Sequence, residues 1–193
     1  MAIPDRDFGH LESSDGRMCG YVDRFGVERD MAGNAIAAGS RPAPGAFRQS
    51  GLVFKSGVAV PNTGNTNKNP LATIQIPAGL LGINGGLRVT AYWSYTNSAN
   101  TKTLTADFGG SSVINVARTT FATDFWMFEI MNRGAVNSQV KPISPFPYGS
   151  SANAFQTMAV DTSQAQSLVL SAQLANSGET ITLEGYTVEV LNP

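Results

Sequence analysis

A chain of 193 residues with a formal net charge of −1 at pH 7 is one domain's worth of sequence, long enough to bury a substantial core. That charge balance leaves no electrostatic footprint for nucleic acid or an anionic membrane surface. The single cysteine, Cys19, excludes an internal disulfide, and no apolar run reaches the roughly 18 to 20 residues that a membrane-spanning helix requires. Met1 to Asp7 lack the charged-then-apolar order of a signal peptide, which predicts a soluble protein made in a cytoplasm.

The charges are concentrated at the start. Residues 1–50 hold six Arg, five Asp and two Glu, 13 of the 27 charged residues, and are broken repeatedly by Gly and Pro. Beyond Ser50 the composition turns to Thr, Ser, Asn, Gly, Val and Leu, which suits short strands with turns between them. The boundary therefore divides an N-terminal arm, residues 1–50, from a domain of residues 51–193. The arm lacks helical or strand periodicity and reads as extended and mostly irregular, yet its apolar anchors are too many for a flexible linker. Phe8, Tyr21, Phe25 and Phe47, with Arg17, Arg24 and Arg29 for interchain ion pairs, make it a partner-binding device. The alternative is an arm packed back on its own domain.

Leu52 to Val60 reads as a strand interrupted at Gly57, and Pro61 to Pro70 as an exposed loop without the carboxylates a calcium site needs. Ala72, Ile74 and Ile76 alternate in a strand that stops at Pro77. The glycines of the Ile76–Gly86 segment are turn residues suited to positive backbone angles; a β-branched, aromatic strand follows, so this is not a phosphate loop. From Leu87 to Tyr95 runs the longest clean alternation in the chain. Leu87, Val89, Ala91, Trp93 and Tyr95 fall on one face, and Arg88, Thr90, Tyr92 and Ser94 on the other. Leu104, Ala106 and Phe108 repeat the pattern at hairpin distance.

Ala122 to Met131 is the most apolar run. Trp126, Phe128 and Ile130 fill the core, which leaves Phe125, Met127 and Met131 on the opposite face as a subunit interface. Ala135 to Lys141 is a short strand, and Pro142 to Gly149, with three prolines, is a surface loop that pins or displays Phe146 and Tyr148. Phe155 to Val160, Leu168 to Leu174 and Ile181 to Val190 are the closing strands. The last changes parity at Gly185, as a bulge would make it do. Eight or nine strands with no helical segment predict an all-β, antiparallel two-sheet sandwich of jelly-roll type behind the N-terminal arm.

Ile76 to Gly82, Leu87 to Leu104, Phe108 to Gly110, Met131 to Gly134 ahead of Ser138-Gln139, and Ile181 to Val190 together resemble the jelly-roll modules of tailed-bacteriophage virion proteins. That family includes capsid decoration or cement proteins and the heads of fibre and tail proteins. The resemblance spans residues 71–193 and includes no catalytic motif. It implies a homotrimer that grips a major capsid protein or another virion protein and is assembled into virions in the host cytoplasm.

The catalytic inventory is thin. His10 is the only histidine and sits in the arm, and neither it nor Cys19 has a partner at metal-ligand spacing. Asp107, Asp124, Glu129, Glu184 and Glu189 lie on strands where a glycosidase pair could form, but spacing alone does not pair them. The reading is a non-enzymatic capsid decoration protein without a cofactor, a nucleic-acid partner or a membrane. The alternative is a fibre head that binds a carbohydrate receptor through Tyr92, Phe146 and Tyr148.

Overall fold

The structure is a computed structural model that describes residues 53–146 and 155–191, together with the backbone of three short strands nearer the N-terminus. The chain divides into two compact units, residues 1–48 and 49–193.

In the first unit, β1 (His10–Glu12), β2 (Met18–Val22) and β3 (Glu28–Asp30) form an antiparallel meander in which Tyr21 is the cross-strand partner of both His10 and Arg29. The expected absence of strand structure in the arm is corrected at these three places. Each is too short for a period-2 pattern to stand out. Phe8, Arg17, Arg24, Phe25 and Phe47 lie outside the described residues.

The second unit contains β4 (Val53–Ser56), β5 (Val60–Thr63), β6 (Asn69–Ile76), β7 (Gly86–Tyr95), β8 (Lys102–Phe108), β9 (Ser111–Arg118), β10 (Thr123–Asn132), β11 (Gln139–Lys141), β12 (Gln156–Met158), β13 (Gln166–Leu174) and β14 (Thr180–Leu191). A nested set of antiparallel pairs organises them: β8 with β9, β7 with β10, β6 with β13, and β4 with β14. This is a long hairpin. Rolling it up sets β14 beside β7 and β13 beside β8, giving one sheet ordered β12-β11-β10-β7-β14-β4 and another ordered β6-β13-β8-β9. The result is a jelly roll.

The two sheets bury their inner faces against each other. Leu87, Val89, Ala91 and Trp93 of β7 and Trp126, Phe128 and Ile130 of β10 supply one side of the core, and Leu104, Ala106, Phe108, Leu168 and Leu170 the other. Trp93 and Trp126 meet at 5.5 Å between ring centroids, tilted by 58°. Each of the Val, Leu, Ile and Phe side chains among them contributes on the order of 1.5–3 kcal/mol by leaving water.

Four local expectations change. β7 and β8 are not a hairpin, because they belong to different sheets and the segment between them crosses the sandwich. An arch and a hairpin bury the same alternate residues, so the pattern is identical. Gly85 and Gly86 serve close approach and not positive angles: a Cβ at Gly85 would lie 2.1 Å from the Leu81 carbonyl oxygen, and one at Gly86 2.4 Å from that of Ile130. Gly79 and Gly82 carry the positive φ of this connection. The strand expected over Ala135 to Lys141 is confined to Gln139–Lys141, and that expected over Phe155 to Val160 to Gln156–Met158.

Candidate binding groove on the outer sheet face

Alternation that sends the odd residues of β7 inward turns Arg88, Thr90, Tyr92 and Ser94 outward. The register of β10 then places Thr123 beside Ser94, Phe125 beside Tyr92, Met127 beside Thr90 and Glu129 beside Arg88. On the other side of β7, β14 is bulged between Leu183 and Gly185, so Glu184 has no cross-strand partner in β7. Alternation with the inward Ile181 and Leu183 puts Glu184 on the outer face, where the Ser94 hydroxyl donates a hydrogen bond to Glu184 Oε1. Gly185 beside it has no room for a side chain, since a Cβ would lie 2.9 Å from the Ser56 carbonyl oxygen of β4.

Of these residues, Tyr92, Ser94, Thr123, Phe125, Glu184 and Gly185 form one wall and the floor of an open groove of about 1620 Å³. Tyr92 and Phe125 make its apolar floor: each is 51% exposed, and their rings pack at 5.2 Å with a tilt of 57°. Phe146, 63% exposed, stands on the opposite wall, where its segment is tied to the sheet by the Phe146 N–H donating to the Met127 carbonyl at 2.7 Å. Phe121 adds a further ring, with the Arg118 guanidinium 5.7 Å from its centroid.

Two cations and two carboxylates line this groove among the described residues: Lys55, Arg118, Asp124 and Glu184. Arg118 Nε donates to Asp124 Oδ2 at 2.6 Å, and the same oxygen accepts from the Trp126 indole at 3.3 Å. Beneath the groove Tyr95 is pushed up to about 12, first by burial and then by the Asp124 charge. A charged row borders the Thr90 level of the sheet. Arg88 bridges Glu129 at 2.8 Å and Glu189 at 3.3 Å, and the hydrogen bond it donates to Glu129 raises the guanidinium above its ordinary range.

Past the strap of residues 142–146 lies a second, more apolar cavity of about 530 Å³, walled by Met127, Met131, Val140 and Phe146. Lys141 borders it with its ammonium 3.0 Å from the Val113 carbonyl, and burial lowers its pKa.

The structure thus brings Tyr92, Phe125 and Phe146 together, although Tyr92 and Phe146 read as glycan contacts and Phe125 as a subunit interface. Met127 and Met131 lie beside the strap of their own chain. Tyr148 lies outside the described residues. Asp124 and Glu184 share the groove but are held by Arg118 and Ser94. Lys55, Arg118 and Phe121 were not singled out by sequence, because they reach the groove from an edge strand, a strand end and the β9–β10 connection, which only the tertiary fold brings near β7. Among the described residues no group of three or more His, Cys, Asp or Glu could hold a metal ion, and no helix is long and apolar enough to cross a membrane.

No protein-family model matches the sequence, and no curated protein matches it. Among solved structures, the chain is similar to Lectin I from Ulex europaeus, crystallised with the methyl glycoside of α-L-fucose (TM-score 0.36, 10% identity, 74% of this chain and 98% of that one). It is also similar to dimeric latent PorU from Porphyromonas gingivalis (TM-score 0.35, 8% identity, 74% of this chain) and to the VP2 subviral particle of infectious bursal disease virus (TM-score 0.24, 13% identity, 75% of this chain). The chain spans 13% of the PorU chain and 42% of the VP2 chain. Likenesses of this size leave function to be read from the groove itself.

Proposed function

We propose that this chain is a non-enzymatic structural protein of a tailed-bacteriophage virion whose jelly roll is a binding head, with the outer-face groove as a carbohydrate site. The observation that carries the reading is the cluster of Tyr92, Phe125 and Phe146. Two large rings held open on a sheet face, with a third on the strap beside them and a carboxylate at the bulged strand, are costly to leave in water and suit a ligand with one apolar and one hydroxylated face. Sugars have both. The C–H face of a pyranose rests on the negative face of an aromatic ring, while its hydroxyls reach Glu184, Ser94 and Lys55.

The N-terminal unit, residues 1–48, is the attachment device, joining the head to a capsid or tail protein, and the particle is assembled in the host cytoplasm. A capsid decoration role is the second reading, favoured by the presence of that separate unit. Two assays distinguish them: a glycan array probed with the full-length protein, and co-sedimentation with undecorated capsid shells. Array binding that is lost in Tyr92→Ala supports the head. Shell binding without any glycan binding supports decoration, and specific cleavage of a glycan by the pure protein would overturn the non-enzymatic role.

A further inference from the structure

We infer that the groove selects short, soluble, uncharged oligosaccharides over sialylated, uronate-bearing or amino-sugar glycans, an inference that rests on the carbohydrate reading above. The argument is one of charge and shape. The two cations and two carboxylates of the lining balance in sign, and Arg118 and Asp124 are committed to each other. Arg118 is bound to Asp124 at 2.6 Å and lies over Phe121, so turning it toward an acidic sugar would leave the Asp124 carboxylate with the Trp126 indole N–H but without its cation. Glu184 already accepts from Ser94 and shares its wall with Lys55, which sits one strand away on β4. An anionic sugar drawn to Lys55 would enter the groove that also holds the Glu184 carboxylate, and an amino sugar drawn to Glu184 would meet Lys55, whereas a neutral sugar meets neither repulsion. The neighbouring row of Glu129, Arg88 and Glu189 carries one carboxylate more than it has cations, a further bias against anions.

Ring geometry narrows the ligand further. With a tilt of 57° between them, Tyr92 and Phe125 present two facets and not one plane. A flat polysaccharide ribbon can lie on only one facet, whereas a short chain that turns between residues can contact both, with Phe146 closing its side. Neutral hydroxyls can replace the water on Glu184, Ser94, Thr123 and Lys55 without changing any ion pair.

The test is calorimetric titration of the full-length protein with maltohexaose and cellohexaose as neutral probes, sialyllactose as the acidic probe and a glucosamine hexamer as the basic one, alongside a pull-down on insoluble cellulose. The expected result is binding of at least one neutral probe at least about tenfold tighter than either charged probe, which corresponds to about 1.4 kcal/mol. Its affinity should be nearly constant from about 50 mM to about 500 mM salt, because no net charge is neutralised. Tyr92→Ala and Phe125→Ala should each abolish it while keeping the thermal transition. Tighter binding of a charged probe, or binding to insoluble cellulose alone, overturns this selectivity and leaves a carbohydrate head standing. Failure of every probe here and of the glycan array overturns both.

Discussion

At the scale of single residues, the polar groups inside the sandwich are where pH acts. Lys102 is fully buried, and its ammonium donates to the Ser98 hydroxyl at 2.6 Å and the Asn100 carbonyl at 2.9 Å, with Glu179 at 3.2 Å. Glu179 also accepts from Ser98 at 2.5 Å and Asn100 at 2.8 Å. Those two hydrogen bonds, ahead of the lysine, hold its carboxyl below the usual carboxylate value of 4.5. A carboxylate with a depressed folded value binds fewer protons folded than unfolded. Its contribution is therefore complete above the unfolded value and is lost as pH falls through the folded one. Glu179→Gln should accordingly lower the melting temperature near pH 7, and the gap from the parent protein should shrink as pH falls toward about 3. A gap that stays constant across that range would show that the charge contributes nothing.

At the scale of elements, glycines determine whether strands can approach. Gly86 lies between β10 and β14, and an added Cβ would strike both the Ile130 carbonyl and the Met131 sulfur at 2.4 Å. Gly86→Ala should cost about 1–3 kcal/mol in urea unfolding, as overpacking of a fixed backbone does. Gly57→Ala is the control: nothing lies within 4 Å of its Cβ, so a change within about 0.5 kcal/mol is expected. Equal losses at the two sites would contradict the close-approach account. The bulge at Gly185 was legible in the sequence, because inward residues shift from Ile181 and Leu183 to Val188 and Val190 and only an extra residue can do that. The separation of β7 from β8 into different sheets was not, since burial periodicity records which side of a strand is covered and not what covers it. Half of the groove was legible for a related reason. Tyr92 is a large ring on a polar face and stands out, whereas Lys55 and Arg118 acquire meaning only when β14 joins β4 to β7 and when Arg118, at the end of β9, meets Asp124 of β10.

At the scale of the whole molecule, the nested pairing from β8–β9 out to β4–β14 brings together the core formed among the described residues of the second unit. A chain beginning at Gln49 should fold with an unchanged thermal transition, keep glycan binding and lose virion attachment; unfolding of that truncation would make the first 48 residues part of the core. Light scattering should give three times the mass of the chain, as the virion resemblance implies. Phe125→Ala should leave that mass unchanged while removing glycan binding, because Phe125 packs on Tyr92 in the groove. Dissociation to monomers would put Phe125 in the subunit interface instead.

The claim on which the account turns is that the outer face of the larger sheet is the ligand site, and chemical-shift mapping on the isotope-labelled full-length protein tests it most directly. Titrating in the best neutral oligosaccharide from the calorimetry should move the resonances of Tyr92, Phe125, Phe146 and Glu184 together along one saturation curve, and leave those of β6 and β13 in the other sheet in place. Saturable shifts confined to the smaller sheet or to residues 1–48, with the groove unmoved, would contradict it.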